Sequence, residues 1–136
     1  MNNSQYFFFI TAILSLASCT DKSTTTEVHD NFNSPVTANV TNSFTYTVNA
    51  NQYSENSQNN LSFLSDSLIV TLSSSNYLSG QAIISVRDSQ NTPIFLDTVK
   101  SNKTIAIANL KTTKPKHCDI IINNFAAKLV FVLVGQ

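Results

Sequence analysis

The sequence predicts an all-β fold, an antiparallel sandwich of about six to seven strands over residues 43–136, preceded by a signal peptide and a polar tether. Three observations carry that prediction. Apolar side chains recur with period two in run after run, which puts them on one face of a strand. The runs return at roughly ten-residue spacing, the rhythm of a small sandwich. No segment beyond the N-terminal leader shows a helical period.

Composition agrees. The chain has 136 residues, with eight Lys and Arg against eight Asp and Glu. Charged residues make up 12%, half the usual ~25%. Ser, Thr and Asn supply the polarity instead, at 50 of the 136 positions. A hydrophobic fraction of 42%, rich in β-branched residues and Phe, is too high for a wholly disordered chain. Collagen, coiled coil, disulfide-dense miniprotein and a nucleic-acid binder driven by bulk charge are excluded on the same grounds. Gly occurs twice and Pro three times, so Asn and Asp must make most of the turns, since both tolerate left-handed backbone.

Taken in order, residues 6–17 (YFFFITAILSLA) form an apolar run of 12. That is too short for a bilayer span of ~20 residues and suits the core of a secretion signal. Leu16-Ala17-Ser18-Cys19 follows. This run resembles the lipobox of bacterial lipoproteins. The resemblance implies a signal peptide over 1–18, cleavage before Cys19, a diacylglycerol on the Cys19 sulfur and acylation of the new amine. Two or three acyl chains make a stable anchor where one would be marginal. Residues 19–42 are polar, contain Pro35 and read as a flexible tether, with 36–40 as a short first edge strand.

From Phe44 the period-two signal begins. Phe44, Tyr46 and Val48 alternate with Thr45 and Thr47. The polar stretch 49–60 reads as a loop. Leu68, Val70 and Leu72 form the next strand, ended by Ser73-Ser74-Ser75-Asn76. Residues 81–99 read as a hairpin turning at Asp88-Ser89-Gln90-Asn91. Ile105 and Ile107 mark another strand, 111–116 a loop, 118–122 a strand and 127–134 the last. The expected core is Phe44, Tyr46, Val48, Leu68, Val70, Leu72, Ala82, Ile84, Val86, Ile105, Ile107, Ile120, Ile122, Leu129, Phe131 and Leu133. Cys118 shares the face of Ile120 and Ile122, so it should be a buried thiol, while His117 and Asp119 face water. The second half (QAIISVRDSQNTPIFLDTV, TIAIANL, DIIINNFAAKLVFVLV) resembles the small secreted Ig-like sandwich proteins of unknown function found in Bacteroidota. That resemblance covers about 60 residues and implies an Ig-like fold, not an activity.

Candidate chemistry is sparse. His29 and His117 are the only histidines, and adjacent strand residues His117 and Cys118 point to opposite faces, so neither a metal site nor a histidine-based nucleophile is expected. Gly80 and Gly135 cannot build a phosphate loop. No enzyme activity and no cofactor are expected. Residues 20–99 carry a net −5 and residues 100–117 a net +5, from Lys100, Lys103, Lys111, Lys114 and Lys116. These lysines flank one strand and should form two clusters. They serve solubility and edge protection, with anionic lipid headgroups or acidic glycans as the functional alternative. Candidate ligand contacts are Lys111, Lys114 and Lys116 together with Tyr53 and Tyr77, the only aromatics placed to stack a sugar. Asp66-Ser67-Leu68 and Asp97-Thr98-Val99 resemble the Asp-Ser/Thr-apolar O-glycosylation motif of Bacteroidota, which makes Ser67 and Thr98 candidate acceptors. The expectation is a bacterial envelope lipoprotein of structural or interaction type, held at a membrane through Cys19, with an envelope protein or a glycan as partner and no nucleic acid. A glycan- or envelope-polymer-binding module is the alternative.

Overall fold

The computed structural model describes residues 31–136. Cys19, the signal peptide at 1–18 and residues 19–30 of the expected tether lie outside the described residues. Six strands follow one another: β1 (Val36–Val40), β2 (Ser43–Asn60), β3 (Ser67–Arg87), β4 (Pro93–Val99), β5 (Lys103–Lys111) and β6 (His117–Gly135). The six strands pair antiparallel throughout, in the order β1-β2-β6-β3-β4, with β5 on the free side of the first half of β3. The expected all-β antiparallel fold is what the chain adopts.

The long strands β2, β3 and β6 each serve two layers. Tyr46 and Glu55 are nine residues apart in β2, about 30 Å if the strand ran straight. Their hydroxyl and carboxylate are nevertheless 2.5 Å apart. The strand must therefore fold over. In the first layer, residues 43–50 of β2, 126–135 of β6 and 67–75 of β3 pair with one another, flanked by β1 and β5. In the second layer, residues 55–60, 117–123 and 81–87 of the same strands pair, with β4 on the outside. Register shifts mark the bend in β2 between Ala50 and Glu55 and in β3 between Ser75 and Gln81. Strands that change layer through bulges are one way to close a sandwich corner.

The residues at the bend show how it is made. Gln52, Asn76, Gly80 and Asn124 all take left-handed backbone, at φ between 44° and 80°. Asn pays little for that conformation and Gly nothing. At Gly80 there is no choice, because a Cβ there would lie 2.2 Å from the Asn124 carbonyl oxygen. The shifts also reset the alternation. In β2 the inward positions move from Phe44, Tyr46, Val48 and Ala50 to Tyr53, Glu55, Ser57 and Asn59; in β6 they move from Cys118, Ile120 and Ile122 to Phe125, Ala127, Leu129, Phe131 and Leu133.

This geometry corrects three boundaries. Residues 49–60 are not a loop but the second half of β2. Residues 73–76 do not end a strand; β3 continues through them. The two last strands are one, β6. The edge strand expected at 36–40 is β1, paired with β2, and contacts with β2 begin still earlier: Phe32 bridges Asn49, and the Asn33 amide donates to the Asn49 carbonyl at 2.8 Å. In each of the three corrected stretches polar side chains interrupt the apolar period, while the backbone still finds ladder partners.

The core lies between the layers. Fourteen of the sixteen residues expected there are buried, and Ile105 and Ile107 are half-buried on β5. The Phe95 ring of the second layer stacks on Phe131 of the first, with centroids 5.8 Å apart and planes at 19°. Each such side chain contributes about 1.5–3 kcal/mol through burial. Cys118 is fully buried and unpaired, and burial pushes its thiol up to about 12.

Candidate functional site

Folding over brings the free ends of both layers to one pole, the loop pole, and leaves the bend at the other. Four connections meet at the loop pole: the β1–β2 turn at 41–42, 61–66, 88–92 and 112–116. They are tied by backbone bonds from Leu61 to Lys116, from Lys116 to Arg87 and from Thr112 to Asp66, at 2.8–2.9 Å. Leu61 and Phe63 turn inward and close the core beneath them.

Asp88 organises this pole. Its carboxylate accepts the Gln90 and Thr92 amides at 2.8 and 2.9 Å and the Thr113 hydroxyl at 2.9 Å. These donors, the Thr92 amide first, hold its pKa below the usual carboxylate value. Asn91 completes the turn with φ 61°. Asp88 thus rivets the β3–β4 turn to the β5–β6 loop, with three of its acceptor sites committed to that task.

Beside the rivet lies a cleft of about 480 Å³, lined by Asp66, Ser89, Gln90, Thr112, Lys114 and Lys116 among others. A smaller hollow of about 180 Å³ adjoins it through Asp66 and Thr112 and includes Ser67 and Lys111. The structure therefore brings Lys111, Lys114 and Lys116 together around Asp66, at one end of β5. Lys103 lies at the other end, paired with Asp97 at 2.7 Å. The cleft is the right size for a small ligand, yet its lining is carboxylate, hydroxyl, amide and ammonium where most such pockets are largely apolar. Asp66, Ser89, Gln90, Thr112 and Thr113 were missed from sequence because short polar loops leave no periodic signal.

The two candidate tyrosines are elsewhere. Tyr53 is half-buried, and its hydroxyl donates to Glu55 at 3.1 Å. Burial, then the Glu55 charge, raises its pKa. The Tyr77 hydroxyl donates to the Gly80 carbonyl at 2.8 Å, and its ring packs on Phe125 at 5.9 Å. Both rings anchor the bend, and neither reaches the lysine cleft. Of the candidate glycosylation residues, the Ser67 hydroxyl is engaged by Asn109 and Gln136 at 2.9 and 3.1 Å, whereas Thr98 is exposed on the edge strand β4. His117 contacts Asn60 at 3.1 Å, and no group of three metal-ligating side chains occurs among the described residues.

The bend pole carries a second hollow, of about 310 Å³. Ala50, Ala126 and Ala127 floor it, Asn49, Asn51 and Asn76 rim it, and Phe32, Leu78 and Lys128 stand around its mouth. Leu78 is 82% exposed.

No protein-family model matches the chain, and no curated protein matches it either.

Proposed function

We propose that this protein is a bacterial envelope lipoprotein of interaction type, anchored through Cys19, which presents its loop pole to a partner in the envelope. The observation that carries the reading is Leu16-Ala17-Ser18-Cys19 directly behind the apolar run 6–17. The path of the chain supports it. Phe32 enters the fold at the bend pole, so the cleft with Lys111, Lys114 and Lys116 lies at the end away from the anchor. The role is non-catalytic, in keeping with an Asp88 carboxylate whose lone pairs serve a turn. Replacing Cys19 with Ser is expected to release the protein from membranes or block its maturation. A Ser variant that still fractionates with membranes at the processed mass would refute the anchor. Crosslinking in intact cells from a photoreactive group at Lys114 should capture the partner.

A glycan- or envelope-polymer-binding module is the second reading, favoured by the hydroxyl, amide and carboxylate lining of the cleft. The inward placement of Tyr53 and Tyr77 weighs against it, because neither ring offers a stacking platform. Retention on purified envelope polysaccharide that is lost in a Lys114→Glu, Lys116→Glu variant would favour this reading over a protein partner.

A further inference from the structure

We propose that the bend pole is a membrane-seating surface, which rests against the anionic headgroup layer of the bilayer that holds the lipid anchor and inserts Leu78. The inference builds on the anchor reading, and four observations at this pole point to it.

The first is Leu78 itself. It projects from the widest irregularity of β3, between Ser75 and Ser79, and is 82% exposed. A single exposed leucine is ordinary. This one stands with Phe32, 49% exposed, at the mouth of an alanine-floored hollow rimmed by three asparagine amides. Apolar tips above a ring of neutral hydrogen-bonding groups suit the boundary between acyl chains and headgroups.

The second is charge. Lys128 borders the hollow, and Lys100 lies in the β4–β5 turn whose Asn102 accepts the Tyr77 amide at 2.8 Å. Neither lysine is in an ion pair among the described residues. Asp97 is held by Lys103, and Glu55 lies beneath the Tyr46 and Tyr53 hydroxyls that donate to it. With Lys103 counted, the lysines of the pole outnumber its acids three to two among the described residues, a balance that suits an anionic surface. The third is composition, because the loop pole mixes Asp66 with its lysines, and its own exposed apolar side chains, Leu64 and Val40, stand outside the lysine cleft rather than around it.

The fourth is the chain itself. Phe32 is part of this pole, and Cys19 lies thirteen residues upstream. Even fully extended, that segment reaches only about 45 Å. The anchor therefore keeps the pole close to the bilayer, where weak apolar and electrostatic contacts act at high effective concentration.

The test uses the full lipidated protein reconstituted into vesicles of phosphatidylglycerol and phosphatidylcholine. A polarity-sensitive dye is attached at Leu78→Cys in one sample and at Gln90→Cys, on the loop pole, in another; buried Cys118 does not compete for label. Lipid-borne nitroxide should quench the dye at 78 several-fold more than the dye at 90. Lys100→Gln and Lys128→Gln should each weaken the seating by about fivefold, and high salt should weaken it too. Equal quenching at the two sites, or none at 78 while the protein still sediments with vesicles, would overturn the proposal. A dye at 78 that stays in water on vesicles but is shielded in intact cells would assign the pole to a protein partner and overturn it too. Intact mass of the same sample reports on the anchor separately: a chain without lipid refutes the anchor reading, and quenching at 78 on added vesicles is still scored for the seat.

Discussion

Replacing Gly80 with Ala puts the bend to a quantitative test. A methyl group on Gly80 would lie 2.2 Å from the oxygen and 2.4 Å from the carbon of the Asn124 carbonyl. Both are backbone atoms, so no side chain can swing aside. Left-handed backbone at φ +80° costs an L-residue about 1–2 kcal/mol by itself. Relief of the contact means moving the Asn124 peptide by about 1 Å, which takes the β3–β6 hydrogen bonds beside the bulge out of geometry at about 1 kcal/mol each. With two such bonds the loss is about 3–4 kcal/mol, a large part of the ~5–15 kcal/mol of a typical domain. Unfolding followed by far-ultraviolet circular dichroism should show a drop in midpoint on the order of 20 °C. Gly135→Ala is the control. Its new Cβ would sit 3.1–3.3 Å from atoms of the Ser65 and Asn42 side chains and carries no conformational penalty, so its cost should stay below about 1 kcal/mol. If Gly80→Ala unfolds within about 1 kcal/mol of the parent, or Gly135→Ala costs as much, the account of the bend is wrong.

Two further outcomes follow from buried groups. Cys118 should alkylate slowly in the native protein near pH 8 and rapidly in denaturant, because burial removes access and pushes its thiol up to about 12; Cys118→Ala should cost about 1 kcal/mol, and fast labelling of native protein or a disulfide-linked dimer would contradict the strand register. Tyr46→Phe should cost about 1 kcal/mol through loss of the bond to Glu55. Burial, then Glu55, raises the Tyr46 pKa in the folded state. Its contribution is therefore complete below the unfolded phenol value of ~10 and fades as the pH climbs above it. The urea midpoint of the parent should fall above pH ~10 and that of Tyr46→Phe less steeply; identical pH profiles would sink the idea.

What was legible in the sequence was the part of each strand that buries hydrocarbon. Phe44 to Val48, Leu68 to Leu72, Ala82 to Val86 and Leu129 to Leu133 announced themselves by alternation, and their burial follows it. Residues 51–60 were illegible because that half of β2 forms the edge of the second layer and turns Tyr53, Glu55, Ser57 and Asn59 inward, which leaves no apolar period to detect. The bend was hidden for another reason. Asn76 and Asn124 look like loop residues, and locally they are, since both adopt the left-handed conformation of turns. Only the cross-strand pairing resumes beyond them, and pairing is not written in any local stretch. The loop-pole cleft stayed out of reach on the same logic, since Asp66, Asp88 and Lys114 belong to three connections that meet only once the sheet has folded over.

The place of β6 in the sheet has a consequence for how the molecule is made. β6 follows β2 and β3 in the chain and lies between them in both layers of the sheet. Hairpins β1–β2, β3–β4 and the β3–β5 pair can form without it, yet no strand joins the first to the others until the nineteen residues of β6 are in place. A chain in which β6 has not yet paired therefore holds no closed core. Removal of β6 as a whole would leave two half-sheets with no common strand.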